Sequence, residues 1–582
     1  MPQTSSKRRN ALRLCGLLAA IVGTPAACTL NLAGKQTGGA ESTSTSTTAT
    51  GSTSSVGGGG GASTTTSTTT SASAGTGGAA SFCEPNGVKS CYDGPLSTQS
   101  HGACKDGTHT CLANGTAFGN CTGQTLPSAE NCLEPADEDC DGKALGCSGA
   151  TLKGGTFGVV PTDEVIFAVA TDPAGNLFVG GVVGATSPSG QGFFMQNGGG
   201  EITQILADGT PGWAVPMTSV AGNYSVVRGL ATDKQGDVLV VGELQGTVKI
   251  GTFTLVGAGG VDVFLAKLDP AGKTLWAKSF GNGADQNGYG VAVDTTGNVF
   301  ITGRAVGTVD FGGGPPGVSA GASDNIFVAK YDPLGKHLWS REIGDGAIQA
   351  GRSVATTPQG DVVVAGELGG AVDFGGGISL KSAGGADVFV AQLAGGTGLT
   401  QWANGYGDGQ DQVANGVAVG SDGGIVITGY FDGHCNFGGM NLDADSSTDV
   451  FIAKLHPDGT HDWSHDYGSD NEGQVGTSVA VDPALNIVAV GYFNGALTFG
   501  QATLNDVSIG KNFDVFVAKL SAAGVPVWAY QFGDTKDEAA WAVTTDAKSN
   551  VFMGGTYNDT LNLPPSITSL GGYDGFWAKL SP

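Results

Sequence analysis

Two kinds of residue in this 582-residue chain have types and spacings that suit chemistry: cysteines crowded into one stretch, and carboxylates set two apart beside them. Eight of the 11 cysteines are Cys83, Cys91, Cys104, Cys111, Cys121, Cys132, Cys140 and Cys147. An even number in so short a stretch reads as four disulfides, with the pairing left open. Few large apolar residues accompany them, so covalent closure must replace a core, each bridge contributing about 3 kcal/mol by restricting the unfolded chain. Zinc is the competing reading, but the stretch has no paired C-x-x-C spacing. It runs into Asp137-Glu138-Asp139-Cys140-Asp141-Gly142. Alternate carboxylates followed by glycine reproduce the first half of an EF-hand-type loop, in which oxygens converge on calcium and Gly allows the sharp turn. The closing bidentate Glu is replaced by Ser148, and Glu130 and Glu134 stand near enough to substitute. Calcium held by Asp137, Asp139, Asp141, Glu130 and Glu134 is therefore expected, against a plain acidic turn pinned by disulfides.

Elsewhere the chemistry is sparse. The seven histidines are His101, His109, His337, His434, His456, His461 and His465. The last three surround one turn, where a metal site competes with a solvated turn. Cys435 aligns with Val309, Val372 and Leu497 in a repeated element, which predicts a buried apolar thiol rather than a nucleophile. No G-x-S-x-G, H-E-x-x-H or phosphate loop appears, so no residue is nominated as catalytic and the protein is not expected to be an enzyme.

The N-terminus carries an address rather than a fold. Lys7, Arg8, Arg9 and Arg13 precede an apolar run from Leu14 to Val22, too short to span a bilayer. Residues 1–27 read as a signal peptide. Its end, Pro25-Ala26-Ala27-Cys28, resembles a lipobox, which implies a lipid on Cys28; plain cleavage after Ala27 is the alternative. Residues 28–80 are the lipidated N-terminus and a linker that from about Thr37 to Ala80 is almost only Ser, Thr, Gly and Ala, a composition with nothing to bury, hence disordered and reaching roughly 35–40 Å. The expected location is the cell envelope, lipid-anchored at the outer membrane or else secreted. With 27 basic and 52 acidic residues, net −25, the chain repels nucleic acid.

These residues need elements to hold them, and the remainder supplies a repeat. One copy reads Gly290-Val-Ala-Val-Asp-Thr-Thr-Gly-Asn-Val-Phe-Ile-Thr-Gly303, then Asn325-Ile-Phe-Val-Ala-Lys-Tyr-Asp-Pro-Leu-Gly335 and Leu338-Trp339. The GNVFITG element recurs near Gly175, Gly236, Gly297, Gly360, Gly423, Leu485 and Ser549, and Trp213, Trp276, Trp339, Trp402, Trp463 and Trp528 follow at intervals of 61 to 65. Four short apolar runs per copy, here called A to D, repeated seven times, give an all-β seven-bladed β-propeller of four-stranded blades. The small disulfide-rich module, 81–149, and the linker precede it; the propeller occupies 150–582. Leu152-Lys-Gly-Gly-Thr-Phe-Gly158 matches the strand missing from the last copy, and so predicts that the N-terminal segment closes the ring.

The repeats resemble the seven-bladed β-propeller repeat (SBBP) family, a likeness that implies the fold and little about activity. Cys91-Tyr-Asp-Gly-Pro95, Thr108-His-Thr-Cys111 and Asp137-Glu-Asp-Cys-Asp-Gly142 resemble the MopE-type metal-binding motif. That family's name implies copper, which needs soft or imidazole ligands; only His101 and His109 lie here, so calcium ranks first.

Tight A–B and C–D turns fall on one face of such a propeller and the long B–C and D–A links on the other, where function is expected. Asp172, Asp233, Asp294, Asp482 and Asp546 are expected to cap turns. The tryptophans are expected to pack between blades. Asp285, Asp345, Asp408, Asp411, Asp470, Asp534 and Asp537 are carboxylates of the D–A loops. The leading expectation is a monomeric, non-catalytic platform binding a protein or glycan at the loop face; a carbohydrate lyase or hydrolase and a copper-binding surface protein are the alternatives. Because the repeats look alike, unlike polar groups are not expected to converge.

Overall fold

The structure, a computed structural model, describes residues 83–95, 98–100, 104–127, 149–157, 162–185, 198–219, 222–314, 323–444, 447–469, 472–507 and 512–582. Among them every assigned element is a strand. Seven four-stranded antiparallel sheets succeed one another as blades. Strand A of blades 1 to 7 is Asp163–Thr171, Tyr224–Thr232, Gln286–Val293, Gln349–Thr356, Gln412–Val419, Gln474–Val481 and Ala539–Thr545.

Position within a blade explains composition. In blade 2, strands B (Val238–Gln245) and C (Asp262–Leu268) are buried along nearly their whole length, because each blade has a neighbour on both sides. Both therefore read as continuous apolar runs rather than alternating ones. Strand D (Thr274–Phe280) lies outermost and is only half-buried. The A strands crowd around the axis, where Gly and Ala fit.

The A–B turns behave as expected. Asp294 accepts from the backbone N–H groups of Thr296 and Asn298 at 2.8 and 2.9 Å, and Asn298 Nδ2 donates to its other oxygen. Asp172 and Asp546 repeat the pattern. In blade 2, Lys267 reaches from strand C to Asp233 at 2.8 Å.

Blades are joined by a repeated latch. Nε1 of Trp213, Trp276, Trp339 and Trp463 donates to Pro270, Pro333, Gly395 and Ala522, each in the C–D turn of the following blade. Each ring also lies on a turn glycine: a Cβ on Gly335, itself at φ +78°, would stand 2.9 Å from Trp276. The tryptophans thus pack between blades.

The B–C links hold more structure than the repeat suggested. In blades 2, 4, 5 and 6 they fold into short hairpins, such as Thr247–Ile250 with Phe253–Val256, which pairs onto strand D of blade 1. Cys435 sits in the blade 5 hairpin at 1% exposure, and burial pushes its thiol up to about 12. It is a buried apolar residue, as its alignment implied.

The ring closes as expected. Thr151–Phe157 pairs antiparallel with Ile567–Leu580 at six positions, from Thr151↔Leu580 to Phe157↔Gly575, becoming strand D of blade 7. Ser581 N–H donates to Ala150 at 2.9 Å. In the small module, Val88–Cys91 pairs with Gly107–Thr110, disulfides join Cys83 to Cys111 and Cys91 to Cys121, and Cys104 is also disulfide-bonded. Cys28, Glu130, Cys132, Glu134, Asp137, Asp139, Cys140, Asp141 and Cys147 lie outside the described residues.

Candidate functional site at the channel mouth

Each A strand breaks its register at the same place, and that of blade 1 breaks a second time near its start. Opposite the last glycine of the GNVFITG element, strand A carries one extra residue, as when Gly288 pairs with Gly303, Gly290 with Thr302, and Tyr289 has no partner. The bulge recurs in all seven blades. It also explains the repeated glycine. A Cβ on Gly303 would lie 1.9 Å from the Asn287 carbonyl oxygen, and on Gly491 2.0 Å from that of Val475.

A bulge re-aims its extra side chain, here toward the central channel. The seven side chains are of six kinds. Blades 2 to 4 contribute Arg228, Tyr289 and Arg352; blades 5 to 7 contribute Asn415, Thr477 and Trp541; blade 1 contributes Phe167. All line one cavity of about 520 Å³. Below them, toward the turn face, Gly, Ala, Val, Ser and Thr line the channel. There Thr171, Thr232, Thr356 and Thr545 donate to carbonyls of the preceding blade in the ring, stitching it. The expectation of alike repeat positions therefore fails at the bulge, where the strand register releases one residue per blade from pairing.

A second set of unlike residues backs the first, one place beyond each strand B glycine. Glu243 accepts from Arg228 Nε at 2.8 Å, and Glu367 from Arg352 Nη2 at 2.7 Å. Behind Tyr289, Arg304 donates to Asn287 Oδ1 at 2.8 Å and to Asp324 Oδ2 at 2.9 Å. Burial works against the charge of Arg228 and Arg352, but their glutamates outweigh it and raise both above the ordinary arginine value. The Tyr289 phenol, pushed up by burial, lies within the fields of Arg304, Arg352 and Arg228.

The opposite arc is neutral. Arg228 stacks at 4.4 Å from the centroid of Phe167, which lies 6.0 Å from Trp541, which in turn meets Tyr492 edge-on at 5.7 Å. Asn415 and Thr477 donate to the Gly476 and Ala540 carbonyls of the next blade. The mouth thus has a charged arc over blades 2 to 4 and an aromatic, hydroxyl and amide arc over the rest.

The sequence candidates fall elsewhere. Asp345 and Asp408 accept backbone N–H bonds from Ala371 and His434 and so tie D–A loops to hairpins; Asp285, Asp411, Asp534 and Asp537 make comparable bonds. Asp470 lies outside the described residues. His461 bonds Ser464, and His465 stacks at 5.2 Å from Trp463. Among the described residues no three His, Cys, Asp or Glu side chains are placed to hold a metal.

No known family profile matches the chain. It is similar to an uncharacterized WD repeat-containing protein of Acanthamoeba polyphaga mimivirus, 23% identical over 454 residues, which cover 59% of this chain and 31% of that protein. It is also similar to the regulatory protein FlaEY of Caulobacter vibrioides, 27% identical over 191 residues, or 32% and 20% of the two chains. The chain spans less than a third of either relative's length. Among solved structures, a mitotic checkpoint complex chain aligns at TM-score 0.39 and 10% identity, covering 74% of this chain and 92% of that one. A virginiamycin B lyase of Staphylococcus aureus aligns at 0.34 and 9%, covering 73% and 99%. The strand pairing itself establishes the propeller, and a propeller with a WD-repeat relative is consistent with a binding or structural platform.

Proposed function

We propose that this protein is an exported, lipid-anchored surface protein that offers its propeller as a non-catalytic binding platform, with the ligand entering at the loop-face mouth. The observation that carries this is the bulge ring: one register position presents seven side chains of six kinds while the frame around them repeats. Uniform positions suit a frame, and a varied ring on a rigid frame suits recognition. A lyase or hydrolase would need an acid–base pair facing the ligand, whereas Glu243 and Glu367 are held by Arg228 and Arg352. Attachment through Cys28 places the protein at the cell envelope. Calcium at Asp137, Asp139 and Asp141, with Glu130 or Glu134, would brace the small module, copper being the alternative ion. The partner is a protein or glycan.

The test is array binding of the full mature chain to glycans and peptides. The double variant Asn415→Leu/Trp541→Ala should lose the signal, while Lys234→Ala, in an exposed A–B turn at the other face, should keep it. Signal that survives in the ring variant refutes the reading.

A further inference from the structure

Arginine is scarce in this chain and unevenly placed. There are seven, of which Arg8, Arg9 and Arg13 belong to the N-terminal basic run. Of the remaining four, Arg228, Arg304 and Arg352 gather in the charged arc, and only Arg341 lies apart, on outer strand D of blade 3. The other 20 basic residues are lysines, and among the described residues no lysine lines the channel. Arginine differs from lysine in offering a flat fork of donors that fits a carboxylate bidentately.

Each guanidinium is only partly engaged. Arg352 is 8% exposed; its Nη2 bonds Glu367, while its Nε is buried without a partner among the described residues. An orphaned charged donor inside a structure is expensive unless something occupies it. Arg228 gives Nε to Glu243. Three arginines facing Glu243, Glu367 and Asp324 leave the arc neutral. A neutral arc rich in donors suits a singly charged group, not a phosphate dianion or a polyanion. Beside Arg228, Phe167 and Trp541 give the channel an aromatic wall, with the buried Tyr492 behind it, suited to the apolar face of a ring.

We propose that the mouth binds a small ring-shaped organic monocarboxylate of the sugar-acid type, its carboxylate on Arg228 and Arg352 and its ring face on the aromatic wall. The cavity of about 520 Å³ has the size of a small-molecule site. This rests on the binding-platform reading and names its ligand class.

The test is calorimetric titration of the full mature chain with galacturonate, galactose and inorganic phosphate. Galacturonate should bind and galactose, the neutral isostere, should bind at least about tenfold more weakly. Arg228→Gln and Arg352→Gln should each lower galacturonate affinity about tenfold or more, and Arg341→Gln should leave it unchanged. Should Arg352→Gln melt early, Arg352→Lys keeps the charge without the fork and should still lose affinity. Equal binding of galactose, tighter binding of phosphate, no binding of galacturonate, or affinity indifferent to both mouth arginines overturns the inference. An array signal lost in the ring variant but without carboxylate preference would sink this inference alone and leave the platform reading standing.

Discussion

The interfaces among blades 1 to 6 and the two made by blade 7 solve the same problem with different residues. Within the run, a tryptophan lies on the glycine of the next C–D turn, as Trp276 does on Gly335. Between blades 6 and 7 that glycine is Gly149, drawn from the far end of the chain; it stands under Trp528. Between blades 7 and 1 the tryptophan itself is missing: Lys153 occupies its place, over Gly209. The loop-face end differs too. The A strands of blades 3 to 6 begin with Gln286, Gln349, Gln412 and Gln474, beside a strand C residue of the preceding blade, such as Asp262 or Asp387. The matching residue is instead Glu538, just before strand A of blade 7 and beside Asp514, and Glu164, second in strand A of blade 1, which hydrogen-bonds Asp574. A ring made by repetition is therefore uniform only until it must close, and its closing joints carry buried acid pairs and no complete tryptophan latch.

The largest effect should come from breaking a regular latch. Gly335→Val forces a branched residue into φ +78° and against Trp276. We expect a loss of about 2–4 kcal/mol in denaturant unfolding. The matching Gly209→Val meets only the flexible end of Lys153 and should lose about 1–2 kcal/mol, the backbone part alone. Equal losses would mean that the two joints do not differ.

The acid pair gives the next effect. Burial pushes Glu538 up to about 9 and Asp514 to about 7. A carboxyl whose folded value lies above its unfolded one destabilises the fold when ionised. The native state is then most favoured below the unfolded value near 4.3, and stability falls as pH rises toward the folded values. Glu538→Gln should raise Tm by ~2–4 °C at pH 8 and hardly change it at pH 4. A pH-independent difference in the thermal melts would remove the acid pair from the account of the seam. The smallest effect is a gain. Lys153→Trp should restore the latch at the last joint and add about 0.5–1 kcal/mol, read by the same denaturant series.

Much of the frame was legible because local patterns repeat. The turn aspartates, the tryptophans and the closing segment at Leu152–Phe157 each matched a copy elsewhere in the chain. The bulge ring was not read, for two reasons. A bulge is a relation between two strands, and it shifts the register without leaving a local signature in strand A. Its residues are also the ones that differ, so alignment by likeness passes over Arg228, Tyr289 and Trp541. A signal did exist. The glycine closing every GNVFITG element, Gly303 for instance, marks close approach of a neighbouring backbone, which in a strand points to a bulge opposite. The B–C hairpins escaped notice because their strands, Thr247–Ile250 among them, are only two to five residues long, too short to show a pattern of their own.

The closing strand also fixes where the chain enters the propeller. Gly149 and Thr151 lie where the other blades make their C–D turns, so the chain enters the ring on the face away from the bulge residues. Tension applied through that entry runs along the strand, loading its six paired positions together in shear instead of peeling them one by one. The entry point thus leaves the mouth turned from the pull, and the pull lands on the joint that keeps the ring shut.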